Sequence, residues 1–130
     1  PFGIHSKKIS FPFWIKKNIE LKKEIAVIMD QYTSPSYVPD ISKMIIEVID
    51  RKITGIIHLA GPTRISRYDF AVMIANKMNI SDEFFKPIKM KQMNWKAQRP
   101  IDSSLDITKA NRILKIEPIK LEKTIKLLFN

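Results

Sequence analysis

The sequence predicts an α/β fold, and three observations predict it. Residues 25–29 and 56–59 are short apolar runs of strand length. Between them lie a polar stretch and then apolar residues at helical spacing, so the order is strand, polar loop, helix, strand. The chain has 130 residues, 45% hydrophobic and 28% charged, which suffices for one domain with a core of its own. No internal repeat, low-complexity segment or interdomain linker divides it.

The elements follow in order. Residues 10–23 read as an amphipathic helix. Ser10 is a candidate N-cap, and Pro12 is tolerated in the first turn. Phe11, Trp14, Ile15, Asn18 and Ile19 share the inner face, whereas Lys16, Lys17, Glu20 and Lys23 share the wet one. Phe13 and Trp14 serve either helix packing or an aromatic wall for a planar ligand. Residues 25–29 form the first strand. Residues 30–35 are polar and end in proline, a loop at the strand end where α/β folds place ligands. Ser36, Tyr37 and Val38 make a brief β contact. Asp40 reads as the N-cap of a helix that buries Ile41, Met44, Ile45, Val48 and Ile49 and stops at Thr54 and Gly55. Residues 56–59 are then a second buried strand, with His58 as a core histidine, closed by Gly61 and Pro62.

Ser66 is a good N-cap for the next helix, with Asp69 at its third position in the manner of a capping box. Phe70, Ile74 and Met78 lie on its buried side, and Val72 and Met73 near the margin. Asn79 closes it in a left-handed conformation. Residues 81–85 turn, residues 87–90 are a short extended piece, and residues 93–104 are a surface loop. Asp106 caps a short helix, 107–114, that exposes Lys109 and Arg112. Lys115 to Pro118 breaks it, and residues 121–128 form the last helix.

Composition excludes some chemistry. There is no cysteine, hence no disulfide, thiolate metal site or cysteine nucleophile, and this is compatible with a cytoplasmic protein. No apolar run approaches the roughly 20 residues of a membrane span. The first residues do not resemble a signal peptide, and the chain is expected to begin inside a longer one. The net charge of +10 fits an anionic partner: nucleic acid, anionic lipid or a phosphorylated small molecule. The lysines are scattered in pairs, however, and read best as solvated surface charge, which makes nucleic acid an unfavoured partner.

The search for self-contained catalysis mostly fails. Neither GxGxxG nor GxxxxGK[ST] occurs, and the three glycines are too few and too dispersed for a phosphate loop. His5 and His58 are far apart, and Asp30 and Asp40 lack the spacing of a metal or acid/base pair. Two features remain. One is the polar loop 30–35, rich in groups that bond a ligand's polar edge, or else an ordinary turn. The other is Arg99 in Gln98-Arg99-Pro100, a planar fork suited to phosphate, or else a surface charge.

An ordered series of motifs carries a resemblance. It runs Asp30-Gln31-x-x-Ser34-Pro35-Ser36-Tyr37-x-x-Asp40, then Gly55-Ile56-Ile57-His58-Leu59-Ala60-Gly61. Ser66-x-Tyr68-Asp69-Phe70-Ala71 follows, and then Arg99-Pro100-x4-Leu105-Asp106-x-x-Lys109. Over nearly the whole chain this resembles the C-terminal half of the dTDP-4-dehydrorhamnose reductase family of extended short-chain dehydrogenases/reductases. The resemblance implies a Rossmann-like parallel sheet, of which these residues supply the last strands and a small substrate lobe. It also implies an NADPH- or NADH-dependent reduction of dTDP-4-keto-rhamnose to dTDP-rhamnose, with this part binding the nucleotide sugar. Arg99 would hold the diphosphate, and Gln31, Phe13 and Lys16 would border the nucleoside. The family's Tyr-x-x-x-Lys pair has no counterpart here, since Tyr32, Tyr37 and Tyr68 are followed at the fourth position by Ser36, Ile41 and Val72. The resemblance therefore places catalysis and the cofactor in an N-terminal domain outside residues 1–130. That missing half, or self-association, would be the protein partner. A related branch, the regulatory β subunit of methionine adenosyltransferase, shares the scaffold, so a non-catalytic binding subunit is the second expectation.

Overall fold

The computed structural model describes residues 1–5 and 7–129. The chain order is α1 (Phe11–Glu20), β1 (Ile25–Ile28), β2 (Tyr32–Thr33), α2 (Val38–Asp50), β3 (Ile65–Ser66), α3 (Arg67–Lys77), β4 (Phe85–Ile88), α4 (Thr108–Ile113) and α5 (Leu121–Leu128). The fold is α/β. β1 pairs in parallel with β4, register Ile25 to Phe85, and β2 pairs antiparallel with β3.

α3 is the central helix and touches α1, α5, β1 and β4. Its start follows from local chemistry. The Ser66 hydroxyl accepts the Asp69 N–H at 3.0 Å and donates to the Asp69 carboxylate at 2.6 Å, so two groups at the helix mouth satisfy each other. Asn79 beyond its end has φ +55°, as its short amide side chain allows. Phe70, Ala71, Ile74 and Ala75 of α3 are buried with Ile15 and Ile19 of α1, Ile25 and Val27 of β1, Phe85 of β4, and Leu121 and Ile125 of α5. Phe2 joins them. Its N–H donates to the Ser36 carbonyl and its own carbonyl accepts from Val38, which realises the β contact expected at residues 36–38.

A second, smaller cluster holds Met44 of α2, Ala60, Ile107, Ala110 and Leu114, with Ile41, Val48, Ile57 and Leu59 against it. Here several expectations are corrected. Residues 56–59 form no strand, and His58 is exposed rather than a core histidine. The partner of β1 is β4, which sequence patterning disfavours because Pro87 lacks an N–H. The backbone N–H groups of residues 56–60 find no hydrogen-bond partner among the described residues, and Ile56 is 81% exposed. α2 begins at Val38, not Asp40, and Tyr37 occupies its N-cap position. Asp40 is instead buried in the first turn, where its carboxylate accepts the Ile119 N–H at 2.9 Å. Of the α2 face expected inside, Met44 is fully buried but Ile45 is 45% and Ile49 67% exposed. Ser10 sits at the N-cap of α1, but its hydroxyl donates to the Gly3 carbonyl and makes no cap bond.

α2 also holds the segment between α4 and α5. Glu47, two turns on from Asp40 along the same face, accepts the N–H groups of Lys115 and Ile116 and pairs with Arg51. The Lys115 N–H first, then Ile116 and Arg51, hold its carboxyl below the usual range against an opposing push from burial. Two carboxylates of one helix thus satisfy three backbone donors of a segment that has no ladder of its own.

Candidate functional site

The polar stretch after β1 is a scaffold more than a free loop. Asp30 accepts the Met90 N–H at 2.8 Å. Gln31 is 5% exposed, and both the oxygen and the nitrogen of its amide are engaged. Its Oε1 accepts from Arg67 Nε at 2.9 Å, its Nε2 donates to the Pro100 carbonyl at 3.2 Å, and its backbone carbonyl accepts the Arg67 N–H. One buried amide therefore ties the first turn of α3 to the loop that carries Arg99. Ser34, Pro35 and Ser36 come next. The Ser36 hydroxyl donates to the Ser34 carbonyl and accepts the Gly61 N–H. Gly61 lies so close that a Cβ there would sit 1.8 Å from the Pro35 carbonyl oxygen, so only glycine fits.

These pieces frame a cleft of about 140 Å³ lined by Phe2, Phe11, Thr33 to Ser36, Arg67 and Phe70. Whole ligand pockets run to roughly 300–1,000 Å³, so the cleft is sized for part of a ligand. Arg67 is its cationic wall. Its guanidinium lies 5.7 Å from the Phe11 ring centre. Burial, and then the charge of Arg99, push Arg67 below its ordinary value. The Arg99 guanidinium lies over Trp95 at 4.5 Å. Neither arginine forms an ion pair with a carboxylate among the described residues, whose salt bridges use other partners. Arg99 does not line the cleft itself, but its charge acts on Arg67. Paired guanidinium forks without a carboxylate partner are the chemistry that suits an anion with several oxygens.

The four residues picked out in the sequence separate into two pairs. Gln31 and the Arg99 loop come together through Pro100. Phe13 and Lys16 instead share Phe129. The two rings are 5.5 Å apart, and Lys16 Nζ lies 5.8 Å from the Phe129 centre. Sequence reasoning missed Arg67. One signal for it existed: an arginine at the first position of a helix faces the positive end of the helix dipole, where a cation is disfavoured without another use. A larger concavity of about 700 Å³ lies between residues 117–120 and α5. It offers Lys120, Lys123 and Lys126 but no buried or fixed donor, so its size does not make it the better site.

The three glycines do not form a dinucleotide cradle. Gly3 packs on Val38, Gly55 serves the turn after α2 at φ +85°, and Gly61 packs on Pro35. Among the described residues no cluster of His, Asp and Glu is arranged for a metal ion, and no helix is long and apolar enough to cross a membrane.

The fold and site define a class: an α/β lobe with a short parallel sheet and a small cleft walled by Arg67 and aromatic side chains. A profile of the RmlD substrate binding domain matches residues 2–130, and the chain belongs to that family. It is 28% identical over 127 residues to a dTDP-4-dehydrorhamnose reductase of Aggregatibacter actinomycetemcomitans, covering 87% of this chain and 43% of that one. A dTDP-4-dehydrorhamnose reductase from Bacillus anthracis, solved in complex with NADP, superposes with a TM-score of 0.84 at 22% identity, covering 95% of this chain and 44% of that one. A hypothetical dTDP-4-dehydrorhamnose reductase from Sulfolobus tokodaii is 34% identical, with a TM-score of 0.76 over 89% of this chain and 41% of that one. The chain thus spans less than half the length of these relatives. The neighbours carry the extended short-chain dehydrogenase/reductase fold, as the motif series implies.

Proposed function

We propose that this chain is the nucleotide-sugar-binding part of an NAD(P)H-dependent reductase that converts dTDP-4-keto-rhamnose to dTDP-rhamnose. Membership of the substrate-binding family supports the reading. The observation that carries it is the pair Arg67 and Arg99, linked through Gln31 and without a carboxylate partner among the described residues. A diphosphate between them relieves their mutual repulsion and accepts parallel hydrogen bonds from each fork. Phe11, Phe2 and Phe70 give the cleft its apolar surface for a base or sugar face. In this reading Phe11 and Arg67 take the role that the resemblance gives to Phe13 and Lys16, because the latter pair packs on Phe129.

The nicotinamide, when bound, supplies the hydride. The residues of this chain do not fit a dinucleotide and include no Tyr-x-x-x-Lys. Cofactor and proton donor accordingly belong to a companion part outside these 130 residues. The work of this chain is to grip the diphosphate and so fix the sugar relative to that companion, which contributes through orientation.

Calorimetric titration with dTDP tests the reading. Each charge-assisted contact is worth roughly 1.5–3 kcal/mol, or about 10- to 150-fold in affinity. Arg67→Ala and Arg99→Ala should each weaken dTDP by that order, and Arg99→Lys should recover only part of it. The chain alone should consume no reduced nicotinamide. Equal dTDP affinity in all variants would remove the arginines from the site. Tight binding without turnover, even with the companion part present, would favour a non-catalytic binding subunit.

A further inference from the structure

We propose that Asp102 and Arg64 are positioning residues that hold Arg99 in place, an inference that rests on the diphosphate reading of the site. Arg99 ends a stretch, residues 94–99, that makes no backbone hydrogen bond among the described residues. The six residues after it are anchored almost one by one. The Pro100 carbonyl accepts from Gln31, and the Ile101 carbonyl accepts the Tyr32 N–H at 2.7 Å. The Ser103 N–H donates to the Tyr32 carbonyl at 3.0 Å, and the Leu105 N–H donates to the Ser34 hydroxyl. Asp102 sits at the centre of this run. Its Oδ2 accepts from Arg64 Nε at 2.8 Å and its Oδ1 accepts the Ser104 N–H at 2.9 Å. The Arg64 guanidinium in turn lies over the Tyr32 ring, 3.9 Å from its centre. The segment just before α3 is thereby clamped, across the Tyr32 ring, to a residue three places beyond Arg99.

The clamp is not a second anion ligand. Asp102 is acidic, and it occupies Arg64. Hydrogen bonds from Ser104, and then from Arg64, hold its carboxyl down at about 2, so the clamp is intact at any ordinary pH. Its value for binding is pre-organisation. A long arginine on an unanchored loop loses freedom when it grips a ligand, whereas one on a fixed loop has lost much of it already.

This gives a prediction whose sign is diagnostic. Asp102→Asn deletes a negative charge near an anion site and releases Arg64. Plain electrostatics, or a direct role for Arg64 as ligand, requires tighter dTDP binding. The positioning role requires weaker binding, by roughly two- to tenfold, the scale of immobilising one long side chain. Arg64→Ala should weaken it equally, and the double variant no further. In an Arg99→Ala background the effect of Asp102→Asn should vanish. A ligand-free readout is available because Trp95 underlies Arg99 and only Trp14 accompanies it. In a Trp14→Phe background, Asp102→Asn should raise acrylamide quenching of Trp95. If Asp102→Asn does not fold, Arg64→Lys, which keeps the charge but loses the guanidinium fork held between Asp102 and Tyr32, carries the same test with a smaller shift. Unchanged or tighter dTDP binding together with unchanged Trp95 quenching would overturn the proposal. Failure of the unsubstituted chain to bind dTDP would instead overturn the diphosphate reading, and Trp95 quenching would still decide the clamp.

Discussion

The two hydrophobic clusters are built from similar residues and end in different states. The cluster around α3 is closed. Helices α1 and α5 and strands β1 and β4 surround it, and Ile15, Ile74 and Ile125 have at most 1% of their surface exposed. The cluster under α2 is closed on one side only. Met44 is sealed, yet Ile45, Ile46 and Ile49 of the same helix are exposed, as is Ile56 of the neighbouring segment. That helix face lies beside a segment, residues 56–60, whose backbone donors have no partner among the described residues; in an α/β fold such a face is ordinarily packed on a second layer. The difference teaches that the α3 cluster is sealed at its centre, whereas the α2 cluster leaves three isoleucines of one helix in the open.

The comparison breaks most completely at Gly61, the joint between the clusters. Gly61→Ala places a methyl carbon 1.8 Å from the Pro35 carbonyl oxygen, far inside van der Waals contact distance. The expected cost exceeds the roughly 1–3 kcal/mol of ordinary overpacking, because backbone rather than a side-chain tip must move. Thermal unfolding should show a fall in Tm of more than about 10 °C. A fall of only a few degrees would mean that the loop at residues 33–36 is free to shift.

Next in size is the contrast within α2. Met44→Ala should cost about 2–5 kcal/mol, as a large-to-small change in a sealed core. The double change Ile46→Glu and Ile49→Glu should alter stability by under about 1 kcal/mol, since surface substitutions sit near ±0.5 each. The same double change should reduce self-association in light scattering across a concentration series. A strongly destabilised glutamate variant would show that the outer face is already covered in solution.

The smallest effect is acid-dependent. The Glu47 carboxylate is held below its ordinary value of 4.5 by the N–H groups it accepts, so its stabilising effect is present above that value. It is lost as pH falls through the lowered folded value. Glu47→Gln should therefore lower Tm at pH 7, and the difference from the unsubstituted chain should shrink steadily below about pH 4.5. Amide exchange at Lys115 and Ile116 should accelerate in the variant at neutral pH. A Tm difference that persists unchanged at pH 3 would assign the loss to shape rather than charge.

What was legible in the sequence was local. The Ser66 and Asp69 cap, the left-handed Asn79, the run of β1 and the whole of α5 follow from residue types within a few positions. What was not legible was long-range choice. Nothing near residues 25–28 announces that they pair with residues 85–88, and Pro87 argues against it. Residues 56–59 have strand composition but no partner among the described residues, and a strand exists only as a pair. The same limit applied to the site. Arg99 stands out by its Pro100 neighbour, whereas the one local sign of Arg67, a cation at a helix start, gains meaning only once Gln31 is seen to reach both Arg67 and the Arg99 loop. Asp40 looks like a cap until the fold brings Ile119 to it from 79 positions away.

Three helices finish alike, two residues past the last helical position, with a residue other than glycine at positive φ: Lys22 and Lys52 at +51° and Asn79 at +55°. Left-handed backbone costs a side-chain-bearing residue roughly 1–2 kcal/mol, and asparagine bears it best. The two lysines recover part of this by placing a cation at a helix C-terminus. For protein engineering they are a reserve. Lys22→Gly and Lys52→Gly should each raise the melting point by a degree or more without touching either cluster's packing or either arginine. A chain so reinforced would tolerate substitutions at Gln31 or Asp102 that the parent sequence survives poorly, and so let the site be dissected residue by residue.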